Sequence, residues 1–177
     1  MDINDLLRIK DGVLEKFDPY FDFVLPDTVT AISDAAFRDC YPLVGIEFPR
    51  TLQSIGDEAF YCCSIDILEI PGSVKTIGSF AFEKCYRLET VFILEGVEEI
   101  GSRAFAGCEA LDEIWIPATV KRIGPEAFYD CKNIIEVYFR GTMEQWQHII
   151  FIDKIFNTGC NVRCFDGLLK PPYYDNI

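Results

Sequence analysis

The stretch that decides the fold is Leu111-Asp112-Glu113-Ile114-Trp115-Ile116-Pro117-Ala118-Thr119-Val120-Lys121-Arg122-Ile123-Gly124-Pro125-Glu126-Ala127-Phe128-Tyr129-Asp130-Cys131. It recurs along the chain. Its Ala-Phe pair returns at near-constant steps, with the phenylalanines at Phe37, Phe60, Phe82, Phe105 and Phe128. Only the step from Phe60 to Phe82 is shorter, by a single position. Cys40, Cys63, Cys85, Cys108 and Cys131 each follow three positions later, and Ile32, Ile55, Ile77, Ile100 and Ile123 stand five positions before. Val29, Leu52, Val74, Val97 and Val120 precede those isoleucines by three. Pro26, Pro49, Pro71 and Pro117 keep the same phase, with Leu94 in the remaining slot. Self-similarity at a period of roughly 20 to 50 residues is the signature of a stack of supersecondary units, none of which can bury its apolar face alone.

Each unit reads as a coil. The triplets Ile46-Glu47-Phe48, Leu68-Glu69-Ile70, Val91-Phe92-Ile93, Ile114-Trp115-Ile116 and Val137-Tyr138-Phe139 place apolar residues first and third, the period of a strand buried on one face. Proline then ends the strand, because it cannot donate to a ladder. A second extended stretch follows, such as Val120-Lys121-Arg122-Ile123, closed by Gly56, Gly78, Gly101 or Gly124 and by Ser33 in the first unit. Glycine there predicts a tight turn or a positive φ. Asp34, Asp57, Ser79, Ser102 and Pro125 come next, residues suited to a helix start, so a short helical turn is predicted over Ala-Phe-x-x-Cys, with Phe and Cys facing inward. The predicted fold is a repeat solenoid of the leucine-rich-repeat class. Short parallel strands form one face and short helical turns the other, in about five coils, each of roughly 22 to roughly 23 residues.

The pattern Leu-x-x-Ile-x-Ile-Pro-x-x-Val-x-x-Ile-Gly-x-x-Ala-Phe-x-x-Cys, nearly complete at Leu111, Ile114, Ile116, Pro117, Val120, Ile123, Gly124, Ala127, Phe128 and Cys131, resembles the BspA-type leucine-rich repeat. Where the common leucine-rich repeat keeps an asparagine, this chain has Thr28, Thr51, Ser73, Gly96 and Thr119, which fits the BspA variant. Tyr138–Trp146 and Val162–Gly167 resemble that family's closing element. The resemblance covers residues 23 to 140 and implies a right-handed curved solenoid that binds proteins or serves in surface adhesion. Many relatives are exported.

Terminal coils need covering, because they otherwise expose core and strand edges. Residues 1–22 are expected to form an N-terminal cap, with Leu6–Lys10 and Val13–Phe17 as a hairpin about Asp11-Gly12. Residues 141–177 are expected to form the C-terminal cap, with a helix from about Thr142 to Ile150 opened by a Thr142/Gln145 capping box. Trp146, Ile149 and Ile150 would pack over the last coil, and the tail with Pro171-Pro172 would be extended or loose.

The charge excludes some partners. Lys and Arg total 16 against 29 Asp and Glu, a net −13, which opposes nucleic acid and anionic membrane surfaces. No stretch approaches the ~20 apolar residues of a spanning helix, so no membrane insertion is expected. Met1–Lys10 is not a secretory leader; taken as the native start it places the protein in the cytoplasm, with the cell surface or the extracellular space as the alternative.

No catalytic constellation is legible, and no cofactor or metal is expected. The one histidine, His148, falls on the predicted capping helix, and no Walker or dinucleotide glycine loop is present. The five periodic cysteines read as a buried ladder of small hydrophobes, since zinc sites use clustered pairs. Cys62 should face outward. Cys160 and Cys164 form a C-x3-C pair read as two thiols, with a disulfide or half a metal site left open.

The strand period also points to a binding face. The middle residues of the triplets, Val24, Glu47, Glu69, Phe92, Trp115 and Tyr138, should point to the open side of the sheet, with Asp22, Gly45, Ile67, Thr90, Glu113 and Glu136 beside them. Phe92, Trp115 and Tyr138, flanked by Glu69, Glu113 and Glu136, are thus the candidate site for a protein or peptide, of cationic character to suit the acidic rim. Two other readings stay open: the rings stabilise neighbouring strands, or the C-terminal cap folds over them. The function that follows is a non-enzymatic interaction module, with a surface adhesin or a self-assembling structural unit as alternatives.

Overall fold

A computed structural model describes residues 7–17, 23–151 and 160–170. Asp22, the Pro171-Pro172 tail and Leu6 of the predicted hairpin lie outside the described residues. Each coil contributes to three walls. The triplets form the front wall in two pieces: β3 (Phe23–Val24) pairs with β5 (Ile46–Glu47) as a two-stranded sheet, and β7 (Ile67–Ile70), β9 (Thr90–Ile93), β11 (Glu113–Ile116), β13 (Glu136–Phe139) and β15 (Asn161–Cys164) run parallel in the front sheet proper, closed by β16 (Gly167–Leu169), antiparallel to β15. The second extended stretches form a side sheet. There β1 (Leu7–Lys10) pairs antiparallel with β2 (Val13–Phe17), followed in parallel by β4 (Ala31–Ile32), β6 (Ser54–Ile55), β8 (Thr76–Ile77), β10 (Glu99–Ile100), β12 (Arg122–Ile123) and β14 (Ile150–Phe151).

The third wall, carrying Ala-Phe-x-x-Cys, departs from the predicted helical turn. Its amides alternate. Ala36, Arg38 and Cys40 N–H donate three positions back within the coil, while Ala35, Phe37 and Asp39 N–H donate to Asp57, Ala59 and Tyr61 carbonyls of the next coil, at 2.7–2.8 Å. A helix would keep every amide along its own axis. Alternation requires left-handed residues, and each coil has two, such as Ala35 and Asp39 (φ 54° and 59°) or Phe80 and Lys84 (φ 59° and 61°). Such conformations cost about 1–2 kcal/mol per residue, offset here by bonds that join the coils.

The glycine ladder also has a different cause from the predicted one. Gly56, Gly78, Gly101 and Gly124 have no positive φ. A Cβ on Gly78 would lie 2.5 Å from the Gly56 carbonyl carbon, so neighbouring coils touch backbone to backbone at this corner. The slot that is asparagine in the common repeat also joins coils: Thr51 and Thr119 hydroxyls donate to the Val29 and Val97 carbonyls one coil back, at 3.0 and 2.8 Å.

Inside the walls, Phe37, Phe60, Phe82, Phe105 and Phe128 stack with ring centroids 4.6, 5.0, 5.3 and 5.5 Å apart and planes within 11°. All five are buried, as are Cys40, Cys63, Cys85, Cys108 and Cys131. The thiols of Cys63, Cys85, Cys108 and Cys131 each donate to the phenylalanine carbonyl of an earlier coil at 3.1–3.2 Å. Cysteine suits the position because it is small, apolar and a weak donor. A side-chain hydrogen bond with Cys40 that favours the protonated thiol, together with burial, raises the Cys63 pKa, and burial pushes Cys131 up to about 12.

At the N-terminal end the Asp11-Gly12 turn has φ of 50° and 78°, as the sequence requires of a two-residue hairpin, and Leu14 is buried against the first coil. At the other end α1 (Met143–Gln147) begins at the Thr142/Gln145 capping box. It is shorter than predicted, because Ile150 and Phe151 join the side sheet opposite Arg122 and Ile123. Trp146 is buried edge-on against Phe139, 5.1 Å between centroids, and Ile149 is buried too.

Candidate binding face

Parallel pairing without a shift sets the front face. Glu69 lies opposite Phe92, Phe92 opposite Trp115, Trp115 opposite Tyr138, and Tyr138 opposite Arg163. A parallel row of side chains at a ~4.8 Å strand spacing brings flat rings into van der Waals reach. Trp115 and Tyr138 stack with centroids 4.4 Å apart and planes 13° from parallel. Phe92 and Trp115 are looser, at 6.4 Å and 24°. The rings are therefore half-buried by one another, and what they turn to solvent is chiefly their edges.

Two contacts fix the indole in the middle of the row. Its Nε1–H donates to Glu113 at 2.6 Å, and the Arg140 guanidinium lies 5.3 Å from the ring centroid. Arg140 occupies the slot that proline holds in other coils. Beyond Tyr138, Arg163 makes a bidentate pair with Glu136, with Nη2 3.0 Å from Oε2. Of the predicted flanking acids, Glu136 is thus paired with a cation, Glu113 is engaged by tryptophan, and Glu69 is exposed with no ion pair among the described residues.

Sequence reasoning missed Arg163 and Arg140. Val162-Arg163-Cys164 has the apolar-x-apolar form of a sixth triplet, the signal that could have placed Arg163 in the row. It also missed the strip at the entry edge of the front sheet, where Asp66, Glu89, Asp112 and Ile135 occupy one position of successive coils and are exposed. The same wall carries Val24 and Ile67, 61% and 58% exposed.

The outer face of the side sheet is different. Lys75, Glu98 and Lys121 alternate in sign along one row, with Lys121 Nζ 2.7 Å from Glu98, and Arg122 pairs with Glu99. The Lys121 ammonium holds the Glu98 carboxyl below its ordinary pKa. Among the described residues, none of the large exposed hydrophobics is on it.

The remaining reactive groups are dispersed. His148 caps the end of α1, its Nδ1 2.7 Å from the Glu144 carbonyl. Cys62 is half-buried, while Cys160 and Cys164 are buried and form no disulfide; burial pushes Cys164 up to about 11. Among the described residues no three potential metal ligands converge, and no helix is long and apolar enough to cross a membrane.

The model of the BspA type leucine rich repeat region matches in six copies across residues 8–135. The chain belongs to this family. Several solved structures are similar to it. A leucine rich cell surface protein from Faecalibacterium prausnitzii is 30% identical, with a TM-score of 0.73 over 77% of this chain and 37% of that one. A leucine-rich repeat protein from Eubacterium ventriosum is 25% identical, with a TM-score of 0.68 over 75% of this chain and 38% of that one. The pneumococcal vaccine antigen PcpA is 25% identical, with a TM-score of 0.63 over 66% of this chain and 30% of that one. The BspA-type chain described here thus spans well under half the length of these relatives. No curated protein matches it.

Proposed function

We propose that the chain is a non-enzymatic protein-binding module and that the outer face of its front sheet, centred on Phe92, Trp115 and Tyr138, receives a protein or peptide. The carrying observation is the asymmetry between the two sheet walls. The side sheet satisfies its charges with its own neighbours, whereas the front sheet presents aromatic edges, exposed Val24 and Ile67, and acids with no ion pair among the described residues. A contiguous apolar patch rimmed by polar groups is the form that interaction sites take. The test is capture from cell lysate and from surface-exposed protein, comparing wild type with Phe92→Ser/Trp115→Ser/Tyr138→Ser. A partner retained by wild type and lost by a folded variant supports the reading; equal retention moves the site off this face.

A second reading, adhesion at the cell surface, is favoured by the relatives. One is described as a cell surface protein and another as a vaccine antigen. They favour the surface over the cytoplasmic placement read from the opening residues. Protease treatment of intact cells separates the two: loss of the protein from cells that remain unlysed supports the surface, and full protection supports the cytoplasm.

A further inference from the structure

The front wall carries a charge pattern that the side sheet avoids. Glu47, Asp66, Glu69, Glu89 and Asp112 lie on or beside the front sheet over four successive coils, all exposed, and none has an ion pair among the described residues. Asp66 accepts a hydrogen bond from the amide of Ile67. At roughly 4.8 Å per coil, like charges so placed repel one another by up to about 1 kcal/mol per adjacent pair in water. The side wall has the same spacing and relieves it with Lys75, Lys121 and Arg122. The acid strip also has a defined end: the next two coils supply Arg140, over Trp115, and Arg163, on Glu136. The strip lies alongside Phe92 and Trp115, whose edges offer apolar contact.

Given that the front face is the binding face, we infer that its occupant is a basic, extended peptide segment. Its Lys or Arg side chains neutralise the strip from Glu47 to Asp112, while its apolar side chains rest on the edges of Phe92, Trp115 and Tyr138. Four coils span about 14 Å, the reach of about four to five extended residues at ~3.3 Å each. An extended chain sends alternate side chains to opposite sides, so a segment alternating basic and apolar residues sets one kind over the acids and the other over the rings.

The test uses fluorescein-labelled hexapeptides, one alternating Arg with Leu and one alternating Gln with Leu, titrated with the full chain and read by fluorescence anisotropy. At about 50 mM salt the Arg peptide should bind at least about tenfold more tightly than the Gln peptide, and most of that advantage should vanish at about 300 mM. Glu89→Gln/Asp112→Asn should weaken the Arg peptide by about tenfold. Glu98→Gln/Glu99→Gln, which changes the net charge equally on the side wall, should leave it unaffected. Thermal melts establish that each variant folds. The inference is overturned if the Arg peptide fails to bind, if it binds no better than the Gln peptide, or if the two acid-removal variants weaken it equally. If both peptides bind equally and both are lost in Phe92→Ser/Trp115→Ser/Tyr138→Ser, the binding face stands and its basic occupant falls. If the Arg peptide is sensitive to Glu89 and Asp112 but indifferent to the three rings, the aromatic centre of the face falls.

Discussion

The molecule contains two aromatic stacks built by one repeat. Phe37 to Phe128 stack inside the turn wall, five rings long, nearly parallel and sealed from water. Phe92, Trp115 and Tyr138 stack outside the front sheet, three rings long, unevenly spaced and half-exposed. The inner stack occupies a position that every coil fills with the same residue, because each ring is the floor of the next and any gap is a cavity. The outer row changes from Glu69 to Phe92, Trp115 and Tyr138 with no shift in strand pairing, since neighbours on an open sheet face need only fit side by side. A repeated position that does not vary holds coils together, while one that varies is free to meet something else.

That contrast can be broken most directly inside. Phe82→Ala should destabilise by about 3–5 kcal/mol, through lost burial and a cavity between two rings, as measured by urea unfolding. A loss below about 1 kcal/mol would mean that the inner stack bears little of the fold.

The thiols beside the inner stack give the next effect. Burial pushes Cys131 from its ordinary value of 9.0 up to about 12. Below pH 9 both folded and unfolded chains keep this proton; above it the unfolded chain loses the proton and the folded chain does not. Stability should therefore fall between about pH 9 and 12, at roughly 1.4 kcal/mol per pH unit for such a thiol. Cys131→Ala should make that slope shallower by one thiol's share in unfolding curves collected at stepped pH, with Cys63, Cys108 and Cys164, also raised, keeping the rest.

Outside, the expected effects on stability are smaller. Trp115→Ser should cost about 1 kcal/mol or less, the scale of a cross-strand pair, while removing partner binding. A loss comparable to that of Phe82→Ala would make the outer row a structural element. Smallest of all, Glu113→Gln should change stability by only about 0.5 kcal/mol, since the bond to the indole keeps a neutral acceptor. It should still loosen the Trp115 ring, read as greater acrylamide quenching of its fluorescence in a Trp146→Phe background.

Much of this was legible in the residues. The period placed the coils, the front triplets, the inner Phe and Cys ladders, the Asp11-Gly12 hairpin and the Thr142 capping box. Each is a local or strictly repeating signal. The Ala-Phe-x-x-Cys segment was misread as helical. Its composition suits a helix, but Ala35 and Asp39 adopt left-handed backbone so that alternate amides reach the next coil. The glycine ladder was assigned to turn geometry, whereas Gly78 is required by the Gly56 backbone one coil earlier. On the candidate face, the aromatic row could be counted off by alternation. The loss of Glu136 to Arg163, and the isolation of Glu89 and Asp112, could not, because pairing depends on which coil lies alongside.

The sequence by itself determined that coils of near-constant length stack, which side chains enter the core, and which aromatic residues share a face. These follow from periodicity, and periodicity is a property of one chain read in order. Only the tertiary structure decided that the third wall is a ladder of left-handed turns, that the rings meet solvent at their edges, and that the side sheet pairs Glu98 and Glu99 with cations while the front wall pairs Glu136 and leaves Glu69, Glu89 and Asp112 without an ion pair among the described residues. Those outcomes are set between coils, where hydrogen bonds, ring contacts and ion pairs join residues a full coil apart in the chain.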